Sequence, residues 1–598
     1  MNHRRDLIIS CVLALLGAAL FLPFLGAVHL FDWDEINFAE ISREMMLTGD
    51  YFRAHINFEP FWEKPPLFFW LQSACMHVFG VHEFAARLPN ALLGCITLPL
   101  LYRLGKHLYD GAFGLLWACL YAGSFLPHFY FKSGIIDPLF NLWIFLAIWF
   151  LSLWASTVAP SQPTSEQTSS NPSASSFPSS LLWAGVVAGL AVLTKGPVGF
   201  LLVALTWLSY WVCGLRNKSI HTPFPIAELP VVAAIALVIS LAWYGVELWK
   251  GGLTFFREFV QYQIRLLTTG DSGHSQPLYY HFVIVLIGCF PASAFAFTAF
   301  RTSSNDSQTQ HAFRVWMLCL LGVVLAVFTI VQTKIVHYSS LAYFPVTYLG
   351  AHTLHHSIKH GRALSGLAKT LLLALGVVWA VVLVAVPLIG LNKEVLMPLV
   401  RDSFAKANLQ AVLEWSGWEV SIGAAYALAL GVAVVLAFKQ KIFEMALTLL
   451  VATPLAIVAF LAVIAPKIEG YSQRAAIEFY EGLQGKDCYV HVLSFKSYAH
   501  LFYSRLQPAQ SPSGANIPTD EFESWLVEGE IDKTAYFVCK INAADEWRNK
   551  ATLTELYNKN GFVFFKREPS LRRRLAHHDQ WLTVFMQLPR GLLLLLHH

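Results

Sequence analysis

Apolar residues run along this chain in long blocks from Leu7 to about residue 465. A helix crosses the hydrocarbon layer of a bilayer in roughly 20 residues. On that ruler the blocks near 7–29, 84–106, 111–129, 138–156, 180–194, 197–213 and 229–248 are spans. Further spans fall near 279–300, 313–332, 338–356, 367–390, 418–438 and 443–465. The pattern predicts a polytopic α-helical membrane protein with about 13 transmembrane helices. Beyond residue 466 the rhythm changes. IEFYEGL precedes CYVHVLSF, and TAYFVCKI precedes GFVFFKRE, so helix-like and strand-like runs alternate and a small α/β domain is expected over 466–567.

Charge orients the spans. His3, Arg4 and Arg5 precede the first one, which is long for a signal peptide and has no small-residue cleavage site before Phe31. It is read as a retained span with its basic end in the cytoplasm. The cytoplasmic connections then carry Arg103 and Lys106, Arg216 and Lys218, Arg301, Lys359 and Arg362, and Lys439 and Lys441. The Ser/Pro/Thr/Gln-rich stretch 156–180 falls on the same side as a flexible linker. The opposite face receives 30–83, 249–278 and everything beyond 466. This divides the chain into a membrane domain, 1–465, the domain 466–567, and a basic then apolar tail, 568–598.

Composition narrows the classes. Of 598 residues 56% are hydrophobic and 13% charged, against about a quarter charged in soluble domains. A net charge of +4, with no basic stripe interleaved with aromatics, argues against nucleic acid as a partner. The nine cysteines show no C-x-x-C spacing. Cys488 and Cys539 alone fall in the polar C-terminal region, as free thiols or as a disulfide if that region lies outside the cytoplasm.

The first outer loop carries the most chemistry. It opens on Asp32-Trp33-Asp34-Glu35, after which Phe38, Ile41 and Met45 recur at helical spacing with Glu40, Arg43 and Glu44 between them. That spacing predicts an amphipathic helix at the membrane interface, stopped at Gly49. Asp34 is either an N-cap of this helix or a carboxylate that takes a proton from an acceptor, or orients it, where membrane meets water. Glu63-Lys64-Pro65-Pro66 opens a second interfacial helix with both charges at its start. They form either a surface ion pair or a phosphate-holding lysine with an acidic neighbour.

DExxFAEIxREM from Asp34 to Met45, Gly49-Asp50 and N-F-x-P-x-x-EKPPL together resemble the first periplasmic loop of bacterial aminoarabinose (lipid A) transferases. They also resemble the wider protein O-mannosyltransferase-like superfamily, the C-type glycosyltransferases. Similarity is strongest over 30–140 and extends loosely to about 350. The resemblance implies catalytic carboxylates at Asp34 and Asp137, the latter in Ile135-Ile136-Asp137-Pro138. It implies a carrier-phosphate contact at Lys64, a metal-binding role for Glu63, a phosphate-binding Arg265 and a substrate-site Tyr338. Glu35, Lys195 and Lys334 join the substrate-binding candidates as ionisable groups at the same membrane face, where charge is expensive and usually functional. Asp137 can equally be a helix N-cap, and Lys195 a snorkelling lysine. Two departures stand out. Asn37 takes the place of the usual Arg, and no His lies just upstream of Arg265, where the transferases have a metal ligand. His274 and His337 are outer-face histidines that could substitute.

The expectation is transfer of a sugar from a polyprenyl (undecaprenyl) phosphate donor to a lipid A, glycan or protein acceptor at the periplasmic face of a bacterial inner membrane. Inversion is expected, membrane lipids are the surroundings, no cofactor is certain and a divalent metal is possible. The rival is a multispan transporter or flippase, which would place ionisable groups near the bilayer midplane on repeated, broken helices. No internal repeat is visible.

Overall fold

The protein is described from a computed structural model, covering residues 2–158, 179–216, 228–268, 276–300 and 306–569. Most of the predicted linker, the tail beyond 569, Lys218, Arg301 and His274 lie outside the described residues. Every predicted span is built as helix, but the count of about 13 is corrected. Among the described residues, eight helices are long and apolar enough to cross a membrane. They become nine if Tyr280–Gly288 and Ala292–Phe300, bent by 105°, count as one.

The shortfall has local causes. The block at 111–129 breaks at Gly123 into Gly111–Ala122 and Phe125–Tyr130. Ser179–Lys195 stops after 17 residues because Gly196 adopts φ 96°, a turn that a side chain strongly disfavours. The Asn2–Phe21 helix opens on Arg4, Arg5 and Asp6. The block at 338–356 starts as a 3-10 turn, Val336–Ala342, and continues as Tyr343–His360, a helix with four histidines. Hydropathy sees apolar content but not the turn that ends a helix.

The Asp34–Thr48 helix ends as expected at Gly49, in the left-handed conformation with its N–H on Met45 O at 3.0 Å. Its polar face is not left to solvent, because both faces are buried. On the polar face Arg43 forks onto Glu40 at 2.6 and 2.7 Å and also donates to Leu506 O at 2.9 Å. Glu44 accepts from Phe58 N at 2.9 Å. Burial and the neighbouring Glu40 push the Glu44 carboxyl well above the usual range, so it stays protonated at neutral pH. A helix that looks amphipathic can thus be fully covered when its charges satisfy one another. A small hairpin, β1 (His55–Ile56) with β2 (Glu59–Pro60), leads into Pro65-Pro66 and the Leu67–Phe79 helix.

The α/β expectation holds at the C-terminus. Strands β3 (Cys488–Leu493), β4 (Thr534–Lys540), β5 (Thr554–Lys559) and β6 (Phe562–Arg567) form one sheet in the order β3-β4-β6-β5. Only β3 and β4 run parallel. Cys488 sits opposite Thr534 and Cys539 opposite Leu493, at the two ends of that pairing, and both thiols are free. The disulfide alternative therefore falls. One sheet face shares an apolar core with Ile36, Ala39, Met76, Ala85 and Ala86 of the membrane part. Tyr503 fixes the joint: its hydroxyl accepts from Leu30 N at 2.7 Å and donates to Glu83 at 3.0 Å.

Candidate functional site

Four chain segments far apart in sequence bring their ionisable side chains together. Asp34 is the first residue of its helix and makes no capping bond. The turn before it is strained, with Trp33 at φ 75°, a conformation rare for a bulky residue. The Asp34 carboxylate turns instead to His337, with Nε2 at 3.1 Å. The same His337 nitrogen stands 3.9 Å from Asp137 Oδ2. Asp137 heads the Asp137–Val158 helix, and its Oδ1 accepts from Lys195 Nζ at 2.6 Å. Lys195, the last residue of Ser179–Lys195, also lies over the Tyr338 ring at 5.0 Å. Helix N-termini favour the two carboxylates and a helix C-terminus favours the lysine, so the backbone dipoles support the charge pattern.

Electrostatics hold Asp34 ionised. Burial works against the charge, but the hydrogen bond and charge of His337, with Lys64 and Lys195, bring its pKa down to about 2. Asp137 Oδ2 is buried with no hydrogen-bond partner. An acceptor oxygen left open beside His337 is a place for a donor group of a ligand to enter.

A second group adjoins the first. Lys64 Nζ donates to Tyr262 OH at 3.0 Å and lies over that ring at 4.5 Å. Arg265 stacks on the other reach of Tyr262 at 5.2 Å and stands 3.8 Å from Glu63 Oε1. Glu63 Oε2 is 3.9 Å from Lys64. Burial opposes the Lys64 charge, but Tyr262 and Glu63 raise its pKa and keep the ammonium protonated. Tyr262 and Arg265 reach this place on the Thr254–Thr268 helix, whose Phe255 and Phe259 pack into a core with Trp62, Trp243 and Tyr244. Two cations flanking a phenol are suited to a phosphate, and Lys64 is close enough to Asp34 to stabilise its charge.

Asp34, Asp137, Glu63, Lys64, Lys195, Arg265 and Tyr338 are therefore neighbours. Two other sequence-predicted residues are not brought to the cluster. Both Glu35 oxygens are occupied, by Arg87 at 2.8 and 3.0 Å, Phe31 N at 3.0 Å and Gly134 N at 2.6 Å. Burial opposes its charge, but Arg87 outweighs that and lowers its pKa. Lys334 is buried with Nζ on Val331 O at 2.9 Å. Tyr262 escaped sequence reasoning. Its only signal was a position three residues before Arg265, on one helical face. His337, weighed as a substitute metal ligand, lies between the two aspartates.

Among the described residues, one group of three or more His, Cys, Asp or Glu side chains lies close enough to share an ion: Asp306, His352 and His356. Glu63 is not part of it.

Fold and site define a multi-pass helical membrane protein with an ionic cluster gathered from helix ends and the first loop, ended by a small β-sheet domain. The family model described as dolichyl-phosphate-mannose-protein mannosyltransferase matches residues 63–162. Among relatives, an undecaprenyl phosphate-alpha-4-amino-4-deoxy-L-arabinose arabinosyl transferase of Pectobacterium atrosepticum is 26% identical over 347 residues, 57% of this chain and 58% of its own length. One from Pseudomonas aeruginosa is 27% identical over 361 residues, 60% and 61% of the two chains. The chain thus spans less than two thirds of the relatives it matches. The crystal structure of ArnT from Cupriavidus metallidurans bound to undecaprenyl phosphate shares the fold, with a TM-score of 0.68 at 18% identity over 94% of this chain and 97% of that one. By these matches the chain is similar to the aminoarabinose transferases over some three fifths of its length and to the mannosyltransferase model over residues 63–162.

Proposed function

We propose that this protein is a membrane glycosyltransferase that moves a sugar from a polyprenyl phosphate to an acceptor at the periplasmic face of a bacterial inner membrane. The observation that carries this reading is the meeting of Asp34, His337 and Asp137 with the Lys64–Tyr262–Arg265 group. Lys64 and Arg265 stabilise charge on the departing phosphate, where preorganised cations act most strongly. Asp34, ionised and oriented by His337, accepts the acceptor's proton as that oxygen attacks the anomeric carbon. Attack from the face opposite the phosphate inverts the anomeric centre. Asp137, fixed by Lys195, aligns the acceptor through its open oxygen, and Tyr338 borders the donor. Glu63 holds Lys64 and Arg265 in place and is the residue at this centre that a divalent metal would engage.

Acceptors of lipid A, glycan or protein type fit a cluster that opens toward the outer face. The chain is read as a catalytic membrane domain, 1–465, and a domain over 466–567 that closes on it. Purified full-length protein, given labelled undecaprenyl-phosphate sugar and lipid A, glycan or peptide acceptors, should release undecaprenyl phosphate and label one acceptor class. Asp34→Asn should lower kcat by about 10²–10⁴ with KM for the donor nearly unchanged. Full-rate transfer by this variant would remove Asp34 from the chemistry, and absence of transfer with every acceptor class would sink the proposal.

A further inference from the structure

The Tyr343–His360 helix connects two polar centres. At its start lies the turn that carries His337, and at its end a histidine cluster that the transfer reaction does not use. Roughly 14 Å of helix separates Tyr343 from His352, at about 1.5 Å per residue. We propose that Asp306, His352 and His356 form a binding site for a divalent transition metal such as zinc, separate from the sugar-transfer centre.

Geometry and donor chemistry carry the proposal. His352 and His356 are four residues apart, so both imidazoles leave one helical face, the spacing helices use to present paired metal ligands. Asp306, just before the Gln308–Ile330 helix, supplies the third donor from a different element. His356 Nε2 stands 2.9 Å from Asp306 Oδ1, and His352 Nε2 stands 3.2 and 3.1 Å from the two carboxylate oxygens. Tetrahedral zinc, with bonds of about 2.0–2.1 Å, spaces its ligand atoms roughly 3.3 Å apart, so little movement is needed to seat an ion. Two imidazoles and one carboxylate suit borderline metals and fit magnesium or calcium poorly.

The surroundings resemble a supported site. The three side chains are buried, although the Asp306 backbone is partly exposed, and Arg314 Nη1 holds Asp306 Oδ2 at 3.2 Å while its Nη2 reaches His311 Nδ1 at 2.9 Å. A carboxylate ligand held from behind in this way keeps its other oxygen aimed at the ion. The neighbouring His355 belongs to a different pairing, with Asp110 at 3.0 Å. A bound ion would tie the start of one helix to the end of another and serve as a structural staple.

The full-length chain, purified in detergent, is loaded with zinc sulfate and desalted, and its metal is then measured by mass spectrometry. About one zinc per chain is expected for the wild type and little for His352→Gln/His356→Gln or Asp306→Asn. His355→Gln and Glu63→Gln are expected to retain the ion, the first as a folding control on the same helix and the second excluding the sugar-transfer centre. Zinc should also raise the thermal midpoint of the wild type and leave that of His352→Gln/His356→Gln unmoved. Equal zinc in the wild type and in a monodisperse His352→Gln/His356→Gln variant would overturn the proposal. So would loss of the ion in Glu63→Gln.

Discussion

At the scale of single residues, the placement of one imidazole decides how the two aspartates behave. His337 lies between Asp34 and Asp137, and its contact helps hold Asp34 down to about 2. Sign follows from that. A base with a depressed pKa loses its charge only as pH falls through the lowered value, so wild-type kcat/KM should stay flat on the acid side down to the limit of folding. In His337→Gln, burial still disfavours the carboxylate while its main partner is gone. The acid limb of the pH–rate profile should then move up to or above about 4, the ordinary aspartate value. An unmoved limb would mean that Asp34 is not the titrating base. Glu35 gives the contrasting case. Its carboxylate neutralises Arg87 inside the protein, so Glu35→Gln leaves a buried unpaired guanidinium and should cost about 3–5 kcal/mol of stability. Thermal unfolding would register that loss, while donor KM in the surviving fraction should match the wild type.

At the scale of elements, the site depends on where helices begin and end. Asp34 and Asp137 are first residues, Lys195 is a last residue, and Lys64 precedes a proline-opened helix. Gly196 makes one of these ends possible. A Cβ there would meet the Phe259 ring at 2.8 Å, on backbone at φ 96°. Gly196→Ala should therefore destabilise by about 1–3 kcal/mol and shift the Thr254–Thr268 helix that brings in Tyr262 and Arg265. A lowered thermal midpoint together with a raised donor KM would register both effects, whereas unchanged values would show that the turn is not restrictive.

Helix termini also explain what the sequence made legible. Glu-Lys-Pro-Pro, Gly49 and Asp137-Pro138 announce their own local geometry, so the first loop and most candidate residues could be read directly. The cover over the Asp34–Thr48 helix could not, because it comes from Leu506 and its neighbours, more than 400 positions away. Separation in sequence also hid Tyr262, 198 positions from Lys64, and the pairing of Glu35 with Arg87, 52 positions apart, since periodicity carries no information about which helix faces which.

At the scale of the whole molecule, the C-terminal sheet domain is a wall of the first loop rather than an appendage. Its apolar face covers Ile36 and Ala39, one turn from Asp34, and Tyr503 clamps Leu30 and Glu83. Tyr503→Phe removes both hydrogen bonds of the hydroxyl, to Leu30 and Glu83, and leaves the Leu30 N–H without its acceptor, a change worth about 1–3 kcal/mol. Faster cleavage between 466 and 475 in limited proteolysis is expected, with a parallel fall in transfer rate. Wild-type protease resistance would show that the clamp is dispensable.

The Leu30–Tyr503 bond closes across 473 positions of chain. During synthesis the first loop leaves the ribosome early and waits, its apolar side bare, while helix after helix is inserted. It gains its cover only when Tyr503 and the sheet domain around it have been made. Assembly order thus acts as a safeguard: a truncated product, however well inserted, carries the acidic pair without the wall that shapes it.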